Sequence, residues 1–549
     1  MGLARRTLRM VAMLLVAMLV AVACGTGDND DPDDPDVDVD ADDDDDADPD
    51  EDADVAAEPD VGGTLRFQDV HARDTLDPDS NTAGNPVNLL FSAYDALIGI
   101  DPSTAEFVPG LAEDWERLED GSVLRLYLRE GVTFHDGTDF NADAVVANIE
   151  RSQAGGHGRD ETQQATSAIG DMEVIDEYTV DLIQAEGEVV GWSLIESALA
   201  VVSGLMISPQ AIEDGVDLDR EPVGTGPFVF ESFEADRIVY TRNENYWDPD
   251  AVQVERLERV FPTGPETHLN ALVSGEIDIV LISPDQVAQV EQMDDVDLES
   301  VSTLSTYRFA INHSMPPFDD INVRRSLLYG LDREALSAFI TDGTAEPTWQ
   351  MFPPGYFAHS DDFEYSYDPE RARELLEESE YWNPDTEQIE PSTNMVVYEA
   401  PQHRIRLSEA IQDQMGQLGL QLEFEVFDQA IENPFIEGEE PYSVLVHARS
   451  RLDPLEHLVQ SLDTEFGVTN PGGFTDDEVD GLLQEAAQLG ADERADIVRE
   501  ISGLATDRVY GAIGLYSLTD FWASRCVVGF DLPIATYFDL RGVSIDPDC

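Results

Sequence analysis

Val108-Pro-Gly-Leu-Ala-Glu-Asp-Trp115, Leu128-Arg-Glu-Gly-Val-Thr-Phe-His-Asp-Gly137 and Phe140-Asn-Ala-Asp-Ala-Val-Val146 follow one another closely in the chain. Just before the second string, Leu124, Leu126 and Leu128 alternate with Arg125 and Tyr127, which predicts a half-buried strand. Gly131 and Gly137 flank Phe134-His135, as a short strand between two turns requires. The lone His135 reads as a turn or core histidine. Further on, Gly224-Thr-Gly-Pro-Phe228 lacks the GxGxxG spacing of a phosphate loop, and no helical pattern follows it. It reads as a turn entering a strand through Phe228, Phe230 and Phe233. Trp115, Tyr246 and Trp247 read as packing anchors.

The same alternation of strand and helix continues outward. Leu407, Ile411, Met415 and Leu418 share one helical face, and Gly419 supplies the stop. Leu420, Leu422, Phe424 and Val426 then alternate with Gln421, Glu423 and Glu425, a strand. Asp368 and Pro369 stand as N-cap and first helical residue of another helix. Such returns predict an α/β fold, with sheets covered by helices. No internal repeat is visible.

The chain has 549 residues and a net charge of -86, and all 30 of its basic residues are Arg. Phosphate backbones repel such a chain, so nucleic acid is excluded as a partner. Without Lys there is no Walker A lysine and no Schiff-base lysine. Asp28–Asp60 carries 20 acids in 33 residues, and residues 61–549 carry 96 acids against 27 Arg. An acidic, Lys-free body suits concentrated salt, where the Debye length falls to ~3 Å and self-repulsion is screened. A codon bias toward Arg explains the missing Lys but not the acid excess.

Residues 1–23 read as a signal peptide. Arg5, Arg6 and Arg9 precede an apolar run, Met10–Ala23, too short to span a membrane comfortably. Ala21-Val22-Ala23-Cys24-Gly25 resembles a lipobox, which makes Cys24 the lipid-attachment residue; an ordinary cleavage after Ala23 is the plainer reading. Arg5-Arg6 also hints at twin-arginine export. Residues 24–60 then form an anchored, disordered acidic tether, since they hold no aromatic residue and little else to bury. The protein would reside on the outer face of the cytoplasmic membrane, held by lipid alone. Cys526 and Cys549 remain as an even pair in an oxidising compartment, either bridged or as free thiols.

The opening strings closely resemble the signature of family 5 extracellular solute-binding proteins, the dipeptide- and oligopeptide-binding group of ABC importers. Further matches come in order: Gly224–Phe228, Asn243-Glu-Asn-Tyr-Trp247, Leu269-Asn-Ala-Leu-Val-Ser-Gly-Glu-Ile-Asp278, and Asn312 through Pro317-Phe318-Asp319 to Arg333-Glu334. The resemblance implies a two-lobe periplasmic-binding-protein-like fold with an extra subdomain in lobe one. Lobe one would be 61–306 with a return at 515–549, and lobe two 307–514. It further implies a monomer that closes over a small solute and delivers it to a permease and ATPase, with no covalent chemistry, cofactor or metal.

The resemblance puts the solute against Tyr307, Asn312, His403, His447, Arg449, Ser450, Arg451 and Asp453. Asp453-Pro454 fits the Asp-Pro of the family's amine-binding loop, but Ser450 stands where the amine-pairing Asp would be. Tyr398-Glu-Ala-Pro-Gln-His403 lacks the Arg that would take the peptide carboxylate. Two solute classes stay open: a peptide held by its backbone, or a sugar, organic anion or metal chelate near Arg449 and Arg451, whose forked guanidinia suit carboxylates and phosphates. These Arg pairing with neighbouring acids is the plainer alternative. A secreted hydrolase is the remote reading, since neither G-x-S-x-G nor H-E-x-x-H occurs. His403, His447 and His457 are scattered and lack Cys partners, weak as a metal set.

Overall fold

Two long strands, Asp297–Ile311 and Ala512–Ser524, run antiparallel through the middle of the molecule. A computed structural model places them within residues 62–69, 75–80, 87–104, 106–118, 121–154, 166–185, 192–261, 265–363, 365–398, 402–427, 443–449, 453–462, 476–534, 538–547 and 549, the residues described. The signal stretch, Cys24, the acidic tether, Ser450 and Arg451 lie outside the described residues, and of Arg449 only the backbone is described.

The main sheet contains β1 (Thr64–Gln68), β2 (Phe228–Phe233), β3 (Arg237–Arg242), β4 (Arg256–Val260), β5 (Ile279–Ile282), β6 (Asp297–Ile311), β7 (Thr393–Tyr398), β8 (Leu422–Phe427), β9 (Val444–Arg449) and β10 (Ala512–Ser524). Their order is β8-β7-β9-β6-β10-β5-β1-β4-β3-β2. Strands β7, β8 and β9 are mutually parallel, as are β1, β4 and β5. Near-continuous apolar runs such as Val444-Leu-Val446 and Ile279-Val-Leu-Ile282 fit strands covered on both faces.

One core lies around β6, β7 and β9 and holds Tyr307, Phe309, Met395, Val446, Leu407, Ile411 and Met415. Another lies around β1, β4 and β5 and holds Leu65, Phe67, Leu257, Ile279 and Trp522. These are the cores of two lobes, and among the described residues only β10 contributes to both, with Tyr516 in the one and Trp522 in the other. A separate four-stranded sheet, Ala112–Leu118, Val123–Leu128, Thr179–Gln184 and Ile169–Asp176, packs on the helix Ala142–Ala154 with its own core of Leu124, Leu126, Val145, Ile149 and Trp192. It is the extra subdomain of the first lobe.

The local expectations can be followed residue by residue. The Asp368 carboxylate accepts from the Arg371 backbone N–H at 2.9 Å, capping Pro369–Glu377. Helix Gln402–Leu418 buries Leu407, Ile411 and Met415 and stops at Gly419, whose φ is 103°. In β8 the alternation holds for Leu422 and Phe424, while Val426 is exposed because β8 is the outer strand. The predicted strand at Phe134-His135 is a tight turn instead, with the Gly137 N–H donating to the Phe134 carbonyl at 2.8 Å. His135 is inside: its Nε2 lies 3.0 Å from the Gly226 carbonyl oxygen, and burial lowers its pKa. The loop carrying Gly226 presses on residues 93–94, where a Cβ on Gly224 would come within 2.3 Å of the Ala93 oxygen. That close approach, rather than phosphate binding, accounts for its glycines. Tyr246 and Trp247 both donate to the Asp95 carboxylate, at 2.9 and 3.1 Å, and are packing anchors as read.

Cys526 and Cys549 are bridged, with Cα atoms 5.5 Å apart. The bridge returns the last residue to the end of β10. Among the described residues no helix is long and apolar enough to cross a membrane.

Candidate functional site

Strands β6 and β10 change register where they pass between the lobes. Residues 297–302 pair with 524–519, and residues 306–310 pair with 517–512. Between these stretches the Thr303 hydroxyl donates to the Leu518 carbonyl at 3.2 Å, replacing a ladder bond. On the other edge of β10, β5 pairs only as far as Phe521, and the short strand Glu346–Pro347 pairs with Ser517 and Tyr516. Residues 518–520 are thus paired on one edge at most.

The parallel strands of both lobes point their carboxyl ends at this crossing. In the second lobe β7 ends at Tyr398 and β8 at Phe427, while Arg449, at the end of β9, is opposite Thr306. In the first lobe Ile282, at the end of β5, is opposite Phe521. Ligands of open α/β sheets bind outside the carboxyl ends of the strands. Two such edges facing one crossing define the cleft.

Tyr307 and His403 meet at this edge. The Tyr307 hydroxyl and His403 Nε2 are 2.7 Å apart, and the rings pack edge to face with centroids 5.3 Å apart. His403 enters on the first turn of the helix after β7. Burial, reinforced by the Arg404 and Arg406 guanidinia, pushes its imidazole down to about 4, so it is neutral at pH 7. Tyr516 lies directly across from Tyr307, with ring centroids 5.3 Å apart. Its buried hydroxyl has no hydrogen-bond partner among the described residues, and burial raises its pKa well above the usual value. Arg406 is exposed and makes no ion pair among the described residues.

The remaining expected site residues divide. His447 is buried opposite Arg308, two residues before Arg449 on β9. Asp453 is also buried, but one carboxylate oxygen accepts from the Leu455 N–H at 2.8 Å and the other from Arg494 Nη2 at 2.8 Å. Its carboxylate therefore caps the helix Pro454–Leu462 and neutralises a buried guanidinium, which leaves little for a solute. Asn312 is not gathered with the others. It follows the far end of β6, where its Oδ1 accepts from the Ser314 N–H and hydroxyl at 3.0 and 2.7 Å. Five residues of extended strand separate it from Tyr307, about 17 Å. Ser450, Arg451 and the Arg449 side chain lie outside the described residues. Tyr516, Arg404 and Arg406 were missed; the alternation of Tyr516 with Leu518 was a readable strand signal, whereas its position across from Tyr307 depends on the fold. Among the described residues no three His, Cys, Asp or Glu side chains come together as a metal set.

The lobes touch beside the cleft. Helix Trp192–Ala200 of the subdomain meets Pro454–Leu462, and the Ser197 hydroxyl donates to Glu456 Oε2 at 2.8 Å. Arg117 bridges the same gap, pairing with Glu196 at 2.9 Å and donating to the Leu489 carbonyl at 3.2 Å. Both contacts are polar, as expected of surfaces that separate and rejoin.

Comparison with known proteins agrees with this geometry. Residues 106–460 match the family described as bacterial extracellular solute-binding proteins, family 5 Middle. The chain is 26% identical over 480 residues to heme-binding protein A of Haemophilus influenzae, covering 82% of this chain and 87% of that protein. It is 28% identical over 309 residues to the dipeptide-binding protein of Escherichia coli K12, covering 52% and 57%. Its fold is similar to that of the ABC transporter-associated periplasmic binding protein DppA from Helicobacter pylori in complex with peptide STSA, with a TM-score of 0.74 at 21% identity over 88% of this chain and 98% of the other. The chain belongs to the bacterial extracellular solute-binding proteins of family 5.

Proposed function

We propose that the protein is the exported receptor of an ABC importer, which captures a peptide or peptide-like solute between its lobes and presents it to a permease. The observation that carries this reading is the convergence of both lobes' strand ends on the β6–β10 crossing, where Tyr307, Tyr516 and His403 gather. Aromatic walls with few polar groups suit a small solute. Lobe one is 61–306 with 515–549 and lobe two is 307–514, and the register change between Ser302 and Thr306 is the hinge. The protein binds without catalysing a reaction. Cys24 carries the lipid, residues 25–60 hold the body off the membrane, and the acidic surface fits saline surroundings.

The names of the relatives support a peptide, and Arg404 and Arg406 beside the aromatic pair favour a solute with a carboxylate. The heme-binding relative supports a second reading, a non-peptide organic anion. Native mass spectrometry of the full-length protein purified in concentrated salt, followed by thermal shift against di- to pentapeptides, sugars and organic anions, tests both. Stabilisation by peptides is the expected result. Stabilisation only by sugars or anions replaces the peptide with that solute class, and hydrolysis of any of them by the pure protein ends the receptor reading.

A further inference from the structure

Asp520 lies on β10 inside the stretch 518–520, where the strand passes between the lobes. Period-two alternation puts it on the same face as Tyr516 and Trp522. Tyr516 belongs to the core of the second lobe and Trp522 to that of the first, so Asp520 sits at the seam between them. Its cross-strand neighbour is Val301, which brings no charge. It is one residue beyond Phe521, the partner of the last residue of β5, and so directly outside the carboxyl edge of the first lobe.

The carboxylate is partly buried and makes no hydrogen bond or ion pair among the described residues. Other deep acids in this body have partners: Asp69 has Arg259 at 2.6 Å, Asp77 has Arg151 at 2.6 Å, Asp181 has Arg125 at 2.6 Å and Asp453 has Arg494 at 2.8 Å. Desolvation alone pushes the Asp520 carboxyl up to about 6. An acid taken from water without compensation costs stability, and function is the usual reason for it to persist.

We propose that Asp520 is the carboxylate that receives the cationic group of the solute, an ammonium or guanidinium, at the hinge side of the cleft. This rests on the solute-receptor reading and adds to it the charge of the ligand. The solute's cation would supply the partner that the fold withholds, and its arrival would favour the closed arrangement by completing the seam. With Arg404 and Arg406 beside Tyr516 in the second lobe, the cleft is suited to a zwitterion.

The test compares the full-length protein with Asp520→Asn, a substitution of nearly equal shape. Thermal unfolding and calorimetric titration are run in concentrated KCl with trialanine, N-acetyl-trialanine, putrescine and succinate as probes. Trialanine is expected to bind and its acetylated form to fail. Asp520→Asn should weaken trialanine roughly tenfold or more, the loss of one charge-assisted bond. The same variant should unfold at a higher temperature without ligand, because an unpaired charge has gone. Equal binding of the acetylated probe, unchanged affinity in the variant, or a lower ligand-free unfolding temperature each overturns the assignment. Binding of putrescine but not peptide, lost in the variant, keeps Asp520 and removes the peptide. Binding of succinate alone, or of no cationic probe, removes Asp520 from the ligand set.

Discussion

Tyr307 and His403 come from elements 96 residues apart and share a 2.7 Å hydrogen bond at the rim of the cleft. The Tyr307 hydroxyl can donate to a bare Nε2 or accept from a protonated one, and burial with two neighbouring guanidinia keeps His403 neutral at pH 7. Its folded pKa, about 4, is below the ordinary value near 6.5. Between those values the unfolded chain binds more protons, so stability is complete above about 6.5 and falls as pH drops toward 4. Asp520, raised to about 6, has the opposite sign over part of the range. The His403→Gln variant should therefore lose less stability than the parent between pH 6.5 and 4, as read by thermal unfolding at each pH. Parallel curves for the two proteins would remove His403 as the titrating group.

Asp453 and Arg494 form the most deeply buried ion pair described, with side chains 1% and 4% exposed. Removing one partner of such a pair leaves an uncompensated charge, which costs about 3–5 kcal/mol. Asp453→Ala should lose that much in denaturant unfolding. The double variant Asp453→Ala with Arg494→Met should recover most of it, because the stranded guanidinium is gone.

The Cys526–Cys549 bridge closes a 23-residue separation and holds the short pair Val527–Val528 and Ser544–Ile545 against the end of β10. On the chain-entropy account the bridge stabilises by roughly 3 kcal/mol. Cys549→Ser should lower unfolding free energy by about that amount. Solute affinity should change little, since the bridge is at the far end of β10 from Tyr516.

Raising KCl from dilute buffer should increase the unfolding temperature steadily, because 96 acids against 27 Arg in residues 61–549 repel one another. Exposed pairs such as Arg499–Asp496 would weaken, but they contribute at most about 1 kcal/mol each. A flat or falling response would mean that local pairing, not net repulsion, governs the body.

Elements whose pattern is local were legible in the chain: the 402–418 helix with its glycine stop, the Asp368 cap and the strand after Gly419. The two-lobe plan was legible through its ordered strings. The site was legible only in part. Tyr307 and His403 are brought together, yet Asn312, just past the same strand, is carried away because extended chain gains about 3.4 Å per residue. Asp453 matched a motif, but its partner Arg494 is 41 residues on, and that distance conceals a structural carboxylate. Asp520 carries no local mark at all. It becomes notable only when the register sets it opposite Val301, which brings no charge.

The crossing between the lobes is at most a single ladder over residues 518–520, flanked by broader pairing on both sides. A ribbon of this width resists stretching through its covalent backbone but offers little torsional stiffness. The lobes should therefore turn relative to each other about the strand axis more readily than they slide. Rapid amide exchange confined to this short stretch, between slowly exchanging flanks, would be the signature of a torsion joint, and mechanical pull would find its weakest twist here.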